Sequence, residues 1–346
     1  MGIQKKMNVL IIGGTGFISG RLVEKLILSG CKVIVYTRGI SQKKLSENPN
    51  LIYETGDRND EKKLKKILSK HRIDIVYDMI AYHPEESELM IKIFKGKVHR
   101  FIHCSTISVY MISDDVQCPV TEDQDKRKVM EYWDRNPFGM SYGINKRKCE
   151  EVLWDAHSRL FQVSMIRPPF VSGPEDPSKR DWFWIERILD GKPLLVPGSG
   201  EHKFQQVYVE DIAQAFHDLL YNEDTIGQAY NAASEEIFTL NEYLSELSKM
   251  LNKKPEIVHI DQEEFDQLPF STYPGADVFP YNTRRDAYFS LEKIKRDLKY
   301  HSTPFSKWMK KTVKWYLNKV KEHSAGYENR DNELLVTERI KSEILG

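Results

Sequence analysis

The feature that most constrains the fold of this chain is a glycine-rich turn close to its start. The apolar run "MNVLII" leads directly into Gly13, Gly14, Thr15 and Gly16, and a stretch with one apolar stripe at helical spacing follows. A strand, a glycine turn and a helix in this order bring backbone N–H groups and a helix N-terminus against a pyrophosphate. The sequence therefore predicts a β-α-β start with a dinucleotide site at the turn.

One position of the turn departs from the usual glycine spacing. Ser19 stands where a third glycine normally lets the helix pack closely on the strand. Because that third position does not touch phosphate, we expect its hydroxymethyl group to be tolerated. The turn predicts cofactor contacts from five residues, which are Gly13, Thr15, Gly16, Phe17 and Ile18.

Apolar runs rich in valine and isoleucine recur after the turn, separated by helix-like stretches: "KVIVYT", "LIYETG", "IDIVYDMI", "RFIHCS" and "FQVSMIRP". Such runs suit strands that are buried on both faces of a parallel sheet. Beyond "RPPFVSGPEDPSK" the pattern changes to isolated strands, Gly/Pro turns and separate helices. The predicted fold is α/β, a Rossmann-type doubly wound parallel sheet with a smaller C-terminal α/β substrate lobe. We assign 7–175 to the Rossmann domain, 176–322 to the substrate lobe and 323–346 to a charged tail.

Composition excludes several classes of function. Lys+Arg and Asp+Glu are 51 each, so the net charge gives no argument for a nucleic-acid or membrane partner. No apolar window approaches the roughly 18 residues that a membrane span needs. The four cysteines lack C-x-x-C spacing and no signal stretch precedes them, which predicts reduced thiols and a cytoplasmic protein. The ten histidines form no ligand pair, so we expect no metal.

The end of the second predicted strand indicates which dinucleotide binds. An acid there bonds the ribose 2'-hydroxyl of NAD, whereas an arginine accommodates the 2'-phosphate of NADP. Thr37 occupies the usual acid position and Arg38 follows it. Since no carboxylate stands there to repel a phosphate, the sequence favours NADP over NAD, with NAD as the alternative.

A tyrosine and a lysine four residues apart form a candidate acid/base pair. Tyr142 and Lys146, in "SYGINKRKCEEVL", share one face of a predicted helix. We expect the ammonium of Lys146 to lower the pKa of the phenol from about 10 toward working pH. A phenol so tuned can exchange a proton with a substrate hydroxyl while hydride moves to or from nicotinamide.

Hydroxyl side chains follow the fifth predicted strand, in "HCSTISVY". Ser105, Thr106 and Ser108 lie at the carboxyl edge of the sheet, where open α/β proteins bind ligands. Thr106 is placed to polarise the same substrate oxygen that Tyr142 addresses. Taken alone, such residues are more often local caps than catalysts.

The motifs "GGTGFISG", "STISVY", "YGINK", "RPPFVSGP" and "VPGSGEHKFQQVYVEDIA" resemble the extended short-chain dehydrogenase/reductase superfamily, in its NAD-dependent epimerase/dehydratase family, over about residues 7 to 320. The resemblance implies a catalytic triad of Thr106, Tyr142 and Lys146. It also implies a possible homodimer. Further cofactor contacts implied by it come from Asp57 at the adenine, Arg58 beside it, Ala81 after the fourth strand, Tyr142, and Lys146 at the nicotinamide ribose.

The segments "YTRG", "GDRND" and "DMIAYHPEE" look closest to an atypical branch that includes the chloroplast stem-loop-binding proteins. That branch often lacks the Tyr-Lys pair, which this chain keeps, so the resemblance favours an enzyme. Sugar 4,6-dehydratases place an Asp-Glu pair after the catalytic threonine, but Ile107 and Ser108 follow here. We therefore expect no dehydratase chemistry of that type.

Two further departures concern the diphosphate of a nucleotide sugar. Phe170 and Phe204 occupy the places where family epimerases carry an asparagine and an arginine. Lys203 or Gln205 would have to compensate, since one charge at a different offset can still meet phosphate. The clamp on the diphosphate is therefore not evident from the sequence.

The hypothesis favoured by these residues is an NAD(P)-dependent epimerase or oxidoreductase that acts on a carbohydrate hydroxyl or keto group, with a nucleotide sugar as its substrate. One alternative is an NADPH-dependent reductase of a keto substrate without a nucleotide. A second is a non-catalytic, nucleotide-sensing or RNA-associated protein on the same fold. The neutral net charge argues against the RNA alternative, because binding to a phosphate backbone draws on clustered positive charge.

Overall fold

The computed structural model describes residues 6–40, 45, 47–273, 279–281 and 284–345. In this part of the chain the strands are β1 (Asn8–Ile12), β2 (Lys32–Thr37), β3 (Leu51–Thr55), β4 (Ile75–Asp78), β5 (Arg100–Cys104), β6 (Gln162–Arg167), β7 (Phe170–Ser172), β8 (Leu194–Pro197), β9 (Lys203–Phe204), β10 (Gln206–Tyr208), β11 (Ala229–Asn231), β12 (Phe238–Thr239) and β13 (Ile257–Ile260).

The α-helices of the same residues are α1 (Phe17–Leu28), α2 (Glu61–Lys70), α3 (Pro84–Phe94), α4 (Ser108–Met111), α5 (Met140–Ala156), α6 (Arg180–Leu189), α7 (Val209–Leu219), α8 (Leu240–Met250), α9 (Gln262–Asp266), α10 (Glu292–Leu298), α11 (Phe305–Lys319) and α12 (Arg330–Leu345). None of them is both long enough and apolar enough to cross a bilayer.

The main sheet has seven strands in the order β11-β6-β5-β4-β1-β2-β3, and every pairing in it is parallel. The chain builds outward from β1 to β3, then crosses back to place β4 on the other side of β1. In open α/β sheets, ligands bind at such a reversal, outside the carboxyl ends of the strands. The predicted Rossmann-type doubly wound sheet is confirmed, and its topology puts the glycine turn at the crevice.

Alternate residues of the central strand β1 face opposite layers. Val9 and Ile11 belong to a core formed with α1 and α7, whereas Leu10 and Ile12 belong to a second core formed with α2, α3 and α5. All four side chains are fully buried. Burial on both faces explains why the strand reads as an unbroken apolar run rather than as an alternation.

The segment 176–322, which the sequence assigns to the substrate lobe, contributes to both layers. Its β11 is the edge strand of the main sheet, and its α7 packs along α1. Its other strands form small two-stranded sheets, β9 with β12, β8 with β13, and β10 with β7 of the preceding segment. They surround an aromatic core in which Trp308 of α11 stacks on Tyr208 at 5.6 Å between ring centroids. The buried side of α11 therefore faces this core.

The last helix, α12, lies in the segment 323–346 that the sequence describes as a charged tail. It packs against β8 and β13. Glu333 is only 2% exposed and accepts hydrogen bonds from Arg187 at 2.6 Å and from Arg330 at 2.9 Å. Some charged residues of this segment are therefore buried, and the ion pair between Glu333 and Arg187 joins α12 to α6.

Replacing Glu333 should destabilise the protein strongly, because Arg187 would keep a buried charge without its bidentate partner. We expect Glu333→Ala to lower the free energy of unfolding by about 3–5 kcal/mol in urea titrations. Glu343→Ala on the same helix is the matched control, since its carboxylate is an exposed partner of Arg339. If both substitutions changed the free energy of unfolding equally, the buried ion pair would contribute no more to stability than an exposed one.

Candidate active site

The glycine turn after β1 is shaped by a left-handed residue. Gly13 has a φ of +86°, and a Cβ added to it would lie 2.5 Å from Cγ2 of Ile80. Its N–H donates to the carbonyl of Tyr36 at 2.9 Å, which ties the turn to β2. Both the backbone conformation and the close approach therefore require glycine at this position.

Ser19 closes the same turn. Its Oγ accepts from the N–H of Gly16 at 2.9 Å and donates to the carbonyl of Gly13 at 2.5 Å. The sequence predicted only that this residue would be tolerated, and it missed these bonds. A hydroxyl three residues after an N-terminal cap is the signal that was available, because such a side chain can reach back to the cap.

The first turn of α1 provides backbone donors at the crevice. The N–H groups of Phe17 and Ile18 lie in this turn, where a helix has no intrahelical acceptor for them. Together with the helix dipole, such groups favour an anion. The turn therefore has the donor chemistry that a pyrophosphate needs.

A cavity of about 480 Å³ opens beside the turn. It brings together seven of the predicted cofactor residues, namely Gly13, Thr15, Gly16, Thr37, Arg38, Asp57 and Arg58. Tyr36, Ile80 and Glu86 also line it and were not predicted. These residues lack a sequence signal of their own, since they reach the cavity only through the tertiary packing of β2, α3 and the loop after β4.

The two arginines of this cavity differ in their partners. Arg58 is buried and bonds both oxygens of Asp78 at 2.9 Å, with Glu86 at 3.3 Å. Burial lowers the pKa of Arg58, but Asp78 more than offsets it and the pKa is raised. Arg38 is exposed and makes no hydrogen bond or ion pair within the described part of the chain. Arg58 is therefore a brace for the loop after β3, and Arg38 is the cation left to meet a phosphate.

A second cavity, of about 630 Å³, adjoins the first at Tyr82, which lines both. The ring of Tyr82 lies 6.2 Å from that of Tyr142. This cavity brings together the remaining predicted site residues, which are Phe17, Ile18, Ala81, Thr106, Tyr142 and Lys146. The predicted dinucleotide and catalytic residues thus line two adjacent cavities that share Tyr82.

Lys146 is held at the carboxyl ends of β4 and β5. Its Nζ donates to the carbonyl of Ala81 at 2.8 Å and to that of Cys104 at 2.6 Å, and it lies 3.1 Å from Nε2 of His103. The residue is 2% exposed. Burial lowers the pKa of its ammonium group. The nearby thiols and carboxylates raise this pKa but offset the lowering only in part.

Tyr142 does not behave as the sequence predicted. Desolvation raises the pKa of its phenol above the usual value, and Thr106 acts in the opposite direction. The expected lowering by Lys146 is therefore wrong in this structure, because burial is the largest influence on the pKa of this phenol. Nζ of Lys146 itself bonds the two carbonyls and lies against His103. The phenol is protonated at neutral pH.

The hydroxyl groups of Ser105 and Thr106, which follow β5, have different hydrogen-bond partners. Ser105 donates to the buried carboxylate of Glu150, so it is part of the scaffold. Thr106 accepts from the N–H of Ser108 at 3.2 Å and lines the second cavity beside Tyr142. All three hydroxyl residues line this cavity, and Thr106 is the one whose hydroxyl acts on the phenol of Tyr142.

One wall of the second cavity, called the far wall below, is formed by Phe138, Phe170 and Arg180. Phe170 stacks on Phe138 at 5.6 Å between ring centroids, and the guanidinium of Arg180 lies 5.4 Å above Phe170. Phe204 is buried beneath this wall, stacked on Tyr281. Arg180 opens α6 and was not predicted, because nothing in its local sequence distinguishes it from a surface arginine.

The two residues that the sequence offered as substitutes for the diphosphate clamp do not reach either cavity. Gln205 is buried and bonded to the carbonyl of Ser234 and to the N–H of Phe289. Lys203 is exposed near the ring of Tyr288. Among the residues that the structure describes, Arg180 is the cation that lines the far wall.

Asp176 is an unusual acid in the same cavity. It is 3% exposed and accepts from the N–H and Oγ of Ser178. Burial raises its pKa from 3.8 to about 6, although Ser178 and Arg180 act in the opposite direction. The wall beside Phe170 therefore changes charge close to neutral pH.

The sequence model of the NAD dependent epimerase/dehydratase family matches residues 9–233. The chain belongs to this family. The matched segment of this epimerase/dehydratase-family protein runs from β1 through β11, so it contains the whole main sheet and both cavities' predicted catalytic and cofactor residues.

Three comparisons illustrate how this family member relates to known proteins. It is 28% identical over 309 residues to the chloroplast stem-loop binding protein of 41 kDa b of Arabidopsis thaliana, covering 85% of this chain and 75% of that protein. It is 24% identical to an Arabidopsis thaliana trifunctional UDP-glucose 4,6-dehydratase/UDP-4-keto-6-deoxy-D-glucose 3,5-epimerase/UDP-4-keto-L-rhamnose-reductase, covering 90% of this chain but only 47% of that protein. The crystal structure of UDP-glucuronic acid 4-epimerase from Bacillus cereus in complex with NAD superposes with a TM-score of 0.70 at 19% identity, covering 91% of this chain and 100% of that one.

The raised pKa of Asp176 gives a prediction about stability and pH. A carboxyl whose pKa is higher in the folded state stabilises the protein below its unfolded pKa of 3.8, and this contribution is lost as the pH rises through about 6. Asp176→Asn stays neutral, so over this window it should gain stability relative to the wild type, by up to about 3 kcal/mol. Urea unfolding of both proteins across the window measures the difference, and a difference that does not change with pH would contradict the buried acid.

Proposed function

We propose that this protein is an NAD(P)-dependent epimerase or oxidoreductase that acts on a hydroxyl or keto carbon of a nucleotide sugar. The observation that carries the proposal is the convergence of Thr106, Tyr142 and Lys146 on one cavity, which shares Tyr82 with the cavity beside the glycine turn. The names of the dehydratase and epimerase relatives support the substrate class.

The residues of the two cavities together fit a nicotinamide dinucleotide. The N–H groups of Phe17 and Ile18 would hold its pyrophosphate, and Asp57 would lie at the adenosine. The exposed guanidinium of Arg38, which has no partner among the described residues, suits a 2'-phosphate and favours NADP, while the NAD in the Bacillus cereus epimerase keeps NAD as the alternative. When bound, the dinucleotide supplies the acceptor or donor of hydride.

The two protonation forms of Tyr142 suit opposite steps of the proposed reaction. A protonated phenol can donate to a keto oxygen, which is the step that accompanies reduction. Removing a proton from a hydroxyl requires the phenolate, and a cation close to the phenol favours that form. In this structure Nζ of Lys146 is bonded to two carbonyls and to His103 and does not lower the pKa of the phenol, so Tyr142 is assigned the role of proton donor. Thr106 would hold the substrate oxygen beside Tyr142.

The far wall determines which substrates the site accepts. Arg180 offers a guanidinium to an anionic group, and Phe138 with Phe170 offers an apolar surface beside it. Ile107 and Ser108 are not acids, so the elimination that an Asp-Glu pair would run has no catalyst at that position. Hydride transfer with epimerisation or reduction is therefore the proposed chemistry.

The stem-loop-binding relative raises the non-catalytic alternative. Two observations favour the enzyme. This chain retains Tyr142 and Lys146, and both line the same cleft as the glycine turn's helix. A reductase that acts on a keto substrate without a nucleotide would use the same residues, and the panel of substrates below separates it from a nucleotide-sugar enzyme.

Tyr142→Phe tests the proposal directly. We expect turnover to fall by at least about 100-fold because the proton donor is lost, while binding of the dinucleotide is retained. The assay follows the near-ultraviolet absorbance of reduced nicotinamide with NADP or NAD and UDP-glucose, UDP-glucuronate or dTDP-glucose. For an epimerase, chromatography of the sugar product replaces absorbance.

The matched control is Tyr132→Phe, at an exposed tyrosine that precedes α5 and whose hydroxyl lies 3.2 Å from Oγ of Ser141. Its turnover should equal that of the wild type. Undiminished turnover in Tyr142→Phe would remove Tyr142 from the mechanism. A wild-type protein inactive on every nucleotide sugar, yet active on a simple keto sugar, would overturn the substrate class.

A further inference from the structure

A buried histidine lies directly behind the catalytic lysine. His103 is the fourth residue of β5 and is fully buried. Its Nε2 lies 3.1 Å from Nζ of Lys146, and its Nδ1 has no hydrogen-bond partner in the described structure. An imidazole in this position is costly, since one of its nitrogens is desolvated without compensation.

The hydrogen bonds of Lys146 account for the whole ammonium group. Its three N–H groups have three acceptors, which are the carbonyl of Ala81, the carbonyl of Cys104 and the ring of His103. The first two are backbone atoms that any sequence would supply. His103 is the only side chain among the three, and its contact is the longest.

The surroundings of the pair decide which group carries the proton. Burial, followed by the charges of Lys146, Arg58 and Arg167, holds the pKa of His103 well below its usual value, so the ring is neutral. Around Lys146, burial disfavours the charged form, whereas four groups favour it: Cys104, Cys149, Asp78 and Glu150. A neutral ring beside an ammonium accepts the hydrogen bond through Nε2 and carries its own proton on Nδ1.

We propose that His103 is a positioning residue, which fixes Nζ of Lys146 behind the cavity by accepting its third hydrogen bond. The inference rests on the proposed function for its purpose, because it concerns the lysine of the predicted triad. The bond to His103 is the one that Lys146 releases when its ammonium turns toward a ligand in the cleft. The backbone carbonyls keep the remaining two.

The test measures the titration of Lys146 itself and needs no substrate. The protein is produced with lysine labelled with carbon-13 at Cε, and the Lys146 signal is assigned by its loss in Lys146→Arg. Three variants are compared with the wild type. In His103→Gln the side-chain carbonyl still reaches Nζ, in His103→Asn it is one methylene too short, and in His103→Leu there is no acceptor.

We expect the pKa of Lys146 to fall by about one to two units in His103→Leu and His103→Asn, because the ammonium loses a charge-assisted bond. His103→Gln should restore it to within about half a unit of the wild type. Thermal unfolding and circular dichroism check that each variant is folded. If His103→Leu does not fold, the comparison of Gln with Asn carries the test alone.

Equal Lys146 titrations in folded Gln and Asn variants would overturn the positioning role. The result is independent of catalysis. Failure of Tyr142→Phe to reduce turnover would contradict the proposed function while leaving these titrations unchanged. If a His103 variant lowers the pKa of Lys146 but leaves turnover normal, His103 positions the ammonium group but this positioning is not needed for the reaction.

Discussion

The candidate site depends on one buried ion pair, between Arg167 at the end of β6 and Glu150 in the middle of α5. The guanidinium donates to both carboxylate oxygens, at 2.9 Å through Nε and at 2.5 Å through a terminal nitrogen. Ser105 donates to the same carboxylate, which places Thr106, the next residue, at the mouth of the cavity. Because Glu150 is one helical turn after Lys146, this pair orients the helix that carries both Tyr142 and Lys146. Burial of such a pair stabilises little by itself, but it fixes a single geometry.

Much of the fold follows from local sequence. The strand, glycine turn and helix at the start are recognisable because each imposes a short-range constraint, and Gly13 has the left-handed φ that its place in the turn requires. The positions of Thr106, Tyr142 and Lys146 follow from strand ends and helical spacing. What the sequence could not supply is the partner of each side chain. Arg58 and Asp78 are distant in the chain, and only the pairing of strands shows that the charge of Arg58 is already compensated.

The pKa of Tyr142 illustrates the same limit. Spacing along α5 puts Tyr142 and Lys146 on one face, and from spacing alone a cation beside a phenol lowers the pKa of the phenol. The tertiary structure adds burial, which raises the pKa of the phenol, and it supplies three other partners for Nζ, which are the carbonyls of Ala81 and Cys104 and the ring of His103. The far wall shows the same limit of sequence analysis. Arg180 of α6 lies over the ring of Phe170 of β7 only in the folded chain. Electrostatics at a site depend on contacts between distant residues, and these contacts decide which form of an acid or base is present.

We expect the site between the glycine turn and Tyr142 to hold a nicotinamide dinucleotide. To test this, the freshly purified protein is denatured, any released dinucleotide is identified by mass spectrometry, and a protein that releases none is titrated with NADPH and NADH. The protein should either release a dinucleotide in near-stoichiometric amount or bind one on titration. Retention would indicate a closed redox cycle, as in an epimerase, and binding only on titration would indicate a reductase that exchanges its cofactor. A protein that releases no dinucleotide and binds neither form would show that the site does not hold this cofactor.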